Sequence, residues 1–280
     1  MEYWQAFVLG IVQGLTEFLP ISSTAHLKVV PTLLGWKEAG LSFDAVIQLG
    51  SIVAVVGYFW KDLSDITLGS IKAIRDQNYR SQEFKLAIAI ALGTFPILFV
   101  GLLIKIFVPD YDKSPLRSLA AIAIASIVMS SLLALAEILG QRQQKEKRHF
   151  QRIRVIDGIL MGLAQAMAII PGVSRSGSTL TAGLFLGLDR VAATRFSFLL
   201  GIPAITIGGL VEFISIVKKG FGDVGAAQLA IGLFSSVIFS YLAIAWLLKF
   251  FQTHTTWVFV GYRLIFGALL LTSLGLGWLK

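Results

Sequence analysis

The sequence has no cysteine among its 280 residues, which excludes disulfides, thiolate metal sites and a cysteine nucleophile. Charge is also scarce: Asp, Glu, Lys and Arg together make up 14%, against about 25% in a typical soluble domain. Hydrophobic residues reach 56% and the mean hydropathy is +0.79. Each membrane-crossing helix needs about 20 apolar residues, so the deficit of charge predicts an integral membrane protein with several spans packed as one domain. Negative charge is the scarcer sign, and the net charge is +8. In a soluble protein that excess suggests nucleic acid. Here it is better explained by cytoplasmic loop positives and anionic lipid headgroups, so membrane lipids are the expected partners and nucleic acid is not. A cleavable leader is not expected, because Met1-Glu2-Tyr3-Trp4-Gln5 offers no basic segment and no small-residue cleavage site.

The apolar segments are of two lengths. Residues 3–19 are apolar but short, contain Gln13, Thr16 and Glu17, and stop at Pro20; Ser22-Ser23-Thr24-Ala25-His26 and a second short piece, Val29 to Leu34, come next. Neither piece makes a comfortable span. Interrupted backbone at membrane depth is tolerated where protein or a wet cavity satisfies it, which predicts a re-entrant helix–loop–helix and a site. Ordinary spans are expected over about Phe43–Trp60, Leu86–Phe107 and Leu119–Leu139. The loop after the first carries Lys61, Lys72, Arg75, Arg80 and Lys85, and the loop after the third carries Arg142, Lys145, Lys147, Arg148, Arg152 and Arg154. The connection at Pro109–Pro115 is nearly neutral, so both basic loops are placed in the cytoplasm.

After the basic loop, residues 140–154, the opening pattern returns. Gly10-Ile-Val-Gln-Gly14-Leu-Thr-Glu17 is echoed by Gly158-Ile-Leu-Met-Gly162-Leu-Ala-Gln165, and Pro20 with its hydroxyls by Pro171 with its own. Three more spans are expected near Phe196–Val217, Leu229–Phe251 and Trp257–Trp278. The expected architecture is therefore all-α and polytopic, with about six transmembrane helices plus two re-entrant helix–loop–helix segments. Its halves run over 1–140 and 153–280. Three crossings per half turn the second copy upside down, and such inverted repeats place their broken helices face to face near the midplane.

The residues that could carry chemistry sit in those breaks. Pro171-Gly172-Val173-Ser174-Arg175-Ser176-Gly177-Ser178-Thr179 gathers a guanidinium, hydroxyls and glycines, the groups that an oxyanion such as a diphosphate needs. Arg175 is the expected bidentate ligand; Ser174, Ser176 and Thr179 would donate further bonds, and Gly172 would permit close backbone approach. The competing reading of Arg175 is a structural pairing with a buried carboxylate such as Glu137 or Glu212. Gln13 and Glu17, four apart, share a helix face, and a carboxylate in an apolar segment is a functional candidate by default. His26 could move protons near neutral pH, or simply cap a helix. Ser22, Ser23 and Thr24 could bind phosphate oxygens or supply a nucleophile.

These motifs resemble a known family. Gln13-Gly-Leu-Thr-Glu17-Phe-Leu-Pro-Ile-Ser-Ser-Thr-Ala-His26 and Pro171-Gly-Val-Ser-Arg-Ser-Gly-Ser-Thr179 are similar to the two signatures of the bacterial undecaprenyl-diphosphate phosphatases of the bacitracin-resistance type. The similarity extends through Phe43–Ser51, Phe196–Leu200 and Tyr262-Arg263, nearly the whole chain. It implies a bacterial inner-membrane enzyme that removes the terminal phosphate of the C55 lipid carrier, so that the carrier re-enters cell-wall synthesis. It also implies a site opening outward, and a divalent cation, Mg²⁺ or Ca²⁺, held by Glu17 with Gln13 at the family's other acidic position. His26 and Arg175 match the family's histidine and arginine. Gln13 departs from an acidic residue, which weakens it as a charged metal ligand, and Ala25 stands where glycine is common. Ser23, His26 and water stay open as the attacking group, and a homodimer stays open as the assembly. The rival function is a lipid flippase or transporter built on the same inverted repeat. It needs an anion clamp but no proton shuttle, so Glu17 with His26 favours hydrolysis.

Overall fold

A computed structural model describes every residue except 38–39, 109–110, 112–113, 143–145, 220–224 and 280, and, inside helices, the side chains of 41, 42, 212, 215, 216 and 219. Pro109, Lys145 and the Glu212 side chain thus lie outside the described residues. The described chain is helical, with no strand beyond one isolated bridge between Arg148 and Leu188.

Helix α1 (Tyr3–Phe18) ends before Pro20, whose ring cannot continue a helix, and α2 (Ser23–Leu33) starts after a tight turn. Helices α3 (Leu41–Tyr58), α4 (Trp60–Arg75), α5 (Gln82–Phe107) and α6 (Leu119–Arg142) complete the first half. The second half repeats the plan: α7 (Val155–Ala166) and α8 (Arg175–Phe185) form a second broken pair, succeeded by α9 (Arg190–Lys219), α10 (Ala226–Phe250) and α11 (Trp257–Gly275). Five helices are long and apolar enough to cross a bilayer, and a sixth crossing results if α3 and α4 count as one broken span. The chain is an all-α polytopic membrane protein with two re-entrant segments.

Two details differ from the expectation. The span expected over Phe43–Trp60 stops at Tyr58, and the chain bends by 66° at Phe59. Beyond the bend, a helix replaces the expected basic loop. On α4, Ile66 and Ala73 are buried, while Trp60, Leu68, Ile71 and Ile74 are exposed beside Lys61, Lys72 and Arg75. That arrangement suits a helix lying along a membrane surface; its charges hid its period. The hydroxyl runs, likewise, are not loops. Ser23 to His26 form the first turn of α2, and Arg175 to Ser178 the first turn of α8.

The halves are interlocked. Helix α1 lies against α10, and α7 lies correspondingly against α5. The paired glycines explain why. A Cβ at Gly10 would come within 2.4 Å of the Gly232 carbonyl oxygen, and one at Gly162 within 2.0 Å of the Gly93 carbonyl oxygen. Small residues four apart let two helix backbones approach this closely. The largest apolar core fills the space between the broken pairs and α9, with Phe18, Phe59, Phe196 and Phe198 fully buried.

Candidate active site

Both broken pairs turn on a serine in the left-handed region. Ser22 has φ 77° and Ser174 has φ 71°, and each immediately precedes the first residue of a short helix. Such a conformation costs a non-glycine residue on the order of 1–3 kcal/mol and persists only where the surroundings impose it. The surroundings here are each other. The Gly172 N–H donates to Ser22 Oγ at 3.2 Å, and Ser176 Oγ donates to the Leu19 carbonyl at 3.0 Å. Gly172 itself has φ +92°, and a Cβ there would strike the Ile122 carbonyl oxygen at 2.5 Å.

The turns project their first helical residues into one cavity of about 500 Å³. Gln13, Glu17, Ser22, Ser23, Thr24, Ser174 and Arg175 line it, so residues from both halves meet there. Ser23 Oγ donates to Glu17 Oε2 at 2.7 Å, and Gln13 Nε2 donates to the same oxygen at 3.1 Å. The other carboxylate oxygen accepts from Arg175 Nη2 at 3.5 Å. Arg175 thus pairs with Glu17. Glu137, the alternative partner, is paired with Arg190 and with the Thr256 hydroxyl instead.

Arg175 is held loosely. Its second hydrogen bond, to the Ser197 carbonyl, is 3.4 Å long, and its Nε has no partner among the described residues. Gly201 makes room for it: a Cβ there would lie 1.7 Å from Arg175 Nη1. A guanidinium with long, incomplete bonds keeps donors for an incoming phosphoryl group.

His26, Gly172, Ser176 and Thr179 lie behind the cavity wall rather than along it. His26 Nδ1 is 2.7 Å from the Ser22 carbonyl, which can only accept, so Nδ1 carries the proton. Its Nε2, 2.6 Å from the Tyr262 hydroxyl, then accepts. The ring lies nearly parallel to those of Tyr262 and Phe266, with centroids 5.7 and 4.8 Å away. Ser176 is bonded to the first turn, and Thr179 Oγ1 donates to the Arg175 carbonyl at 2.8 Å.

The remaining wall is not among the sequence candidates. Asp44 and Gln48, on one face of α3, and Arg117, before α6, line the cavity opposite Glu17, while Ile97, Ile169, Ala204 and Ile205 make an apolar side. The i, i+4 spacing of Asp44 and Gln48 was the available signal; Arg117 gave none. Arg117 is fixed by Lys28, whose Nζ donates to its carbonyl at 2.7 Å. Beneath Gln13, Ser51 Oγ accepts from Ser240 at 2.9 Å and from Gln13 at 3.4 Å, which orients the Gln13 amide nitrogen toward Glu17. Far from the cavity, Arg148 clamps Asp157 at the start of α7 with bonds of 2.6 and 2.9 Å, and those bonds hold its guanidinium more firmly protonated than usual.

Among the described residues no three His, Cys, Asp or Glu side chains cluster as an all-protein cation cage. The cavity wall does carry the oxygen donors of Glu17, Asp44 and Gln13. That set fits a hard cation shared with phosphate oxygens, since Mg²⁺ is commonly held by one or two carboxylates plus substrate phosphates.

The chain is similar to known proteins along its whole length. An undecaprenyl-diphosphatase of Synechocystis sp. is 61% identical over 278 residues, 99% of this chain and 84% of that protein. One of Synechococcus elongatus is 60% identical over 280 residues, 100% of this chain and 96% of the relative. One of Nostoc sp. is 58% identical, covering 100% of this chain and 86% of its own length. Residues 6–269 match the family described as bacitracin resistance protein BacA, and the chain belongs to that family.

Proposed function

We infer that this chain is a membrane phosphatase that hydrolyses undecaprenyl diphosphate to undecaprenyl phosphate and inorganic phosphate, returning the lipid carrier to peptidoglycan synthesis. The observation that carries the mechanism is the Ser23–Glu17 hydrogen bond of 2.7 Å, made on a cavity wall that also presents Arg175. Ser23 Oγ attacks the terminal phosphorus while its proton passes to Glu17 Oε2. The bond from that phosphorus to the bridging oxygen breaks, and undecaprenyl phosphate departs with the electron pair and takes the proton from Glu17. Water, deprotonated by Glu17, then attacks the phosphorus of the seryl ester; the bond from phosphorus to Ser23 Oγ breaks, Oγ keeps the electron pair and takes the proton back from Glu17, and phosphate is released. Arg175 donates to the transferring phosphoryl oxygens and stabilises charge as the bridging oxygen leaves. The apolar side at Ile97, Ala204 and Ile205 suits the first part of the prenyl tail.

The cavity wall has two carboxylates, Glu17 and Asp44, against two guanidiniums, Arg117 and Arg175. Its own charge is therefore balanced, and a diphosphate brings negative charge that it does not offset. A divalent cation, Mg²⁺ or Ca²⁺, held by Glu17 and Gln13 with Asp44 nearby, would supply that charge and act as a Lewis acid.

The basic segment supports an outward-facing site in the inner membrane. Arg117 precedes α6, and the run from Arg142 to Arg154 comes after it. A helix of 24 residues is about 36 Å long, enough to separate them across a bilayer. With the basic run cytoplasmic, the cavity rim at Arg117 faces outside.

The test is phosphate release from C55 diphosphate by purified protein in detergent, with acid quench and mapping of phosphoserine. The mechanism requires a labelled Ser23 in the wild type and none in Ser23→Ala, with turnover lost. A Ser23→Ala variant that turns over normally would assign the attack to water. A single cysteine placed at 117 in this cysteine-free chain, labelled from outside by an impermeant maleimide, checks the orientation.

A further inference from the structure

Among the described residues, Arg263 on α11 is the largest fully buried side chain, 1% exposed, and none of its hydrogen bonds goes to a carboxylate. An arginine at membrane depth without a counter-ion is costly. Its Nη donors go instead to backbone, while Nε has no partner among the described residues. Nη1 donates to the Pro20 carbonyl at 2.9 Å, in the first turn; Nη2 donates to the Gly172 and Val173 carbonyls at 2.6 and 3.0 Å, in the second. Gly177 is bare where the guanidinium passes, and a Cβ there would meet Nη1 at 2.8 Å.

We propose that Arg263 is a positioning residue for catalysis, whose single planar fork ties the two re-entrant turns together and so fixes Arg175 against the Ser23–Glu17 pair. The placement of its acceptors supports this. The Val173 carbonyl belongs to the peptide that sets the left-handed φ of Ser174. On the other turn, Tyr262 orients His26, and His26 Nδ1 donates to the carbonyl of Ser22. Adjacent side chains of α11, Arg263 directly and Tyr262 through His26, thus act on the backbone that holds both strained serines. Neither reaches the cavity wall, so neither touches substrate. A guanidinium suits the task because its donors diverge in a rigid plane, whereas a lysine ammonium is a point donor on a flexible stem. This inference rests on the phosphatase reading above, and wild-type turnover tests that reading separately.

The experiment compares Arg263→Lys and Arg263→Ala with wild type in detergent, measuring kcat and KM on C55 diphosphate, with melting temperature to identify folded protein. Displacing one turn by an ångström is expected to lower kcat about a hundredfold while KM changes less than about threefold. Guanidinium ion at tens of millimolar should restore the Ala variant at least about tenfold, since it can reoccupy the vacated fork, and methylammonium should not. A folded Lys variant with wild-type kcat would overturn the proposal. So would a folded Ala variant whose lost turnover guanidinium does not restore. Should Arg263→Ala fail to fold, the Lys variant decides alone. Inactive wild type would instead sink the phosphatase reading.

Discussion

Ser22 and Ser174 adopt the same left-handed conformation at the same point of two broken helix pairs, yet the residue after each is different. Ser22 leads into Ser23, a hydroxyl bonded to Glu17; Ser174 leads into Arg175, a cation. The counterpart of Glu17 in the second motif is Gln165, fully buried with neither amide atom paired among the described residues. One backbone device has therefore been used twice. On the proposed mechanism, the first copy carries the groups that make and break bonds, and the second carries the group that stabilises charge. A repeated fold does not have to mean a repeated site: the copies converge on a single cavity and divide the work.

The largest effect should come from breaking that division at its acid. Glu17→Gln removes the proton acceptor and should lower phosphate release about a thousandfold, the scale of general-base catalysis. Gln165→Leu in the mirror position should leave the rate intact and hold or raise the melting temperature, because it removes an unpaired buried amide. Equal losses from both would show that the halves are not divided. Next in size, Arg175→Ala should lower kcat by several hundredfold, about the effect of losing one preorganised charge-stabilising donor. Steady-state kinetics at saturating lipid would measure it.

Smaller again is the contrast between Gly201 and Gly50, each preceded by a matching leucine in α9 and α3. Gly201→Ala pushes on Arg175 directly and should lower kcat about tenfold or more. Gly50→Ala meets the Leu233 carbonyl and the Ser236 side chain instead, so it should lower the melting temperature while leaving kcat of the folded protein unchanged. The smallest effect belongs to the clamp of Arg148 on Asp157. Arg148→Ala leaves the buried Asp157 with the Arg154 backbone N–H at 2.8 Å and the longer Arg154 side-chain bond at 3.3 Å, and should cost about 2 kcal/mol of stability, read as a lower melting temperature without change in KM.

Much of this was legible in the sequence because membrane burial makes polar residues conspicuous. Glu17 and Arg175 stand out against apolar neighbours, and the doubled Gly-x-x-x-Gly pattern announces two related close crossings, which are α1 on α10 and α7 on α5. Other features leave no such trace. The charges of α4 look like an ordinary basic loop, because they are interleaved with apolar residues on its exposed side. Arg117 lies outside the apolar runs, where an arginine is unremarked. His26 has the residue type of a proton carrier; only the folded chain shows both ring nitrogens engaged, one on the Ser22 carbonyl and one on Tyr262. Arg263 is ambiguous in sequence because its partners are carbonyl oxygens, which every residue possesses and no motif records.

The interlocking of the halves bears on how the protein is made. Helix α1 emerges from the ribosome first, but the face that its glycines require belongs to α10, synthesised near the end. The fork that joins the two turns arrives later still, on α11. Until the final segment leaves the translocon, the earlier helices must wait in the bilayer with an unfinished seam, and a nascent chain halted before that point should have no phosphatase activity.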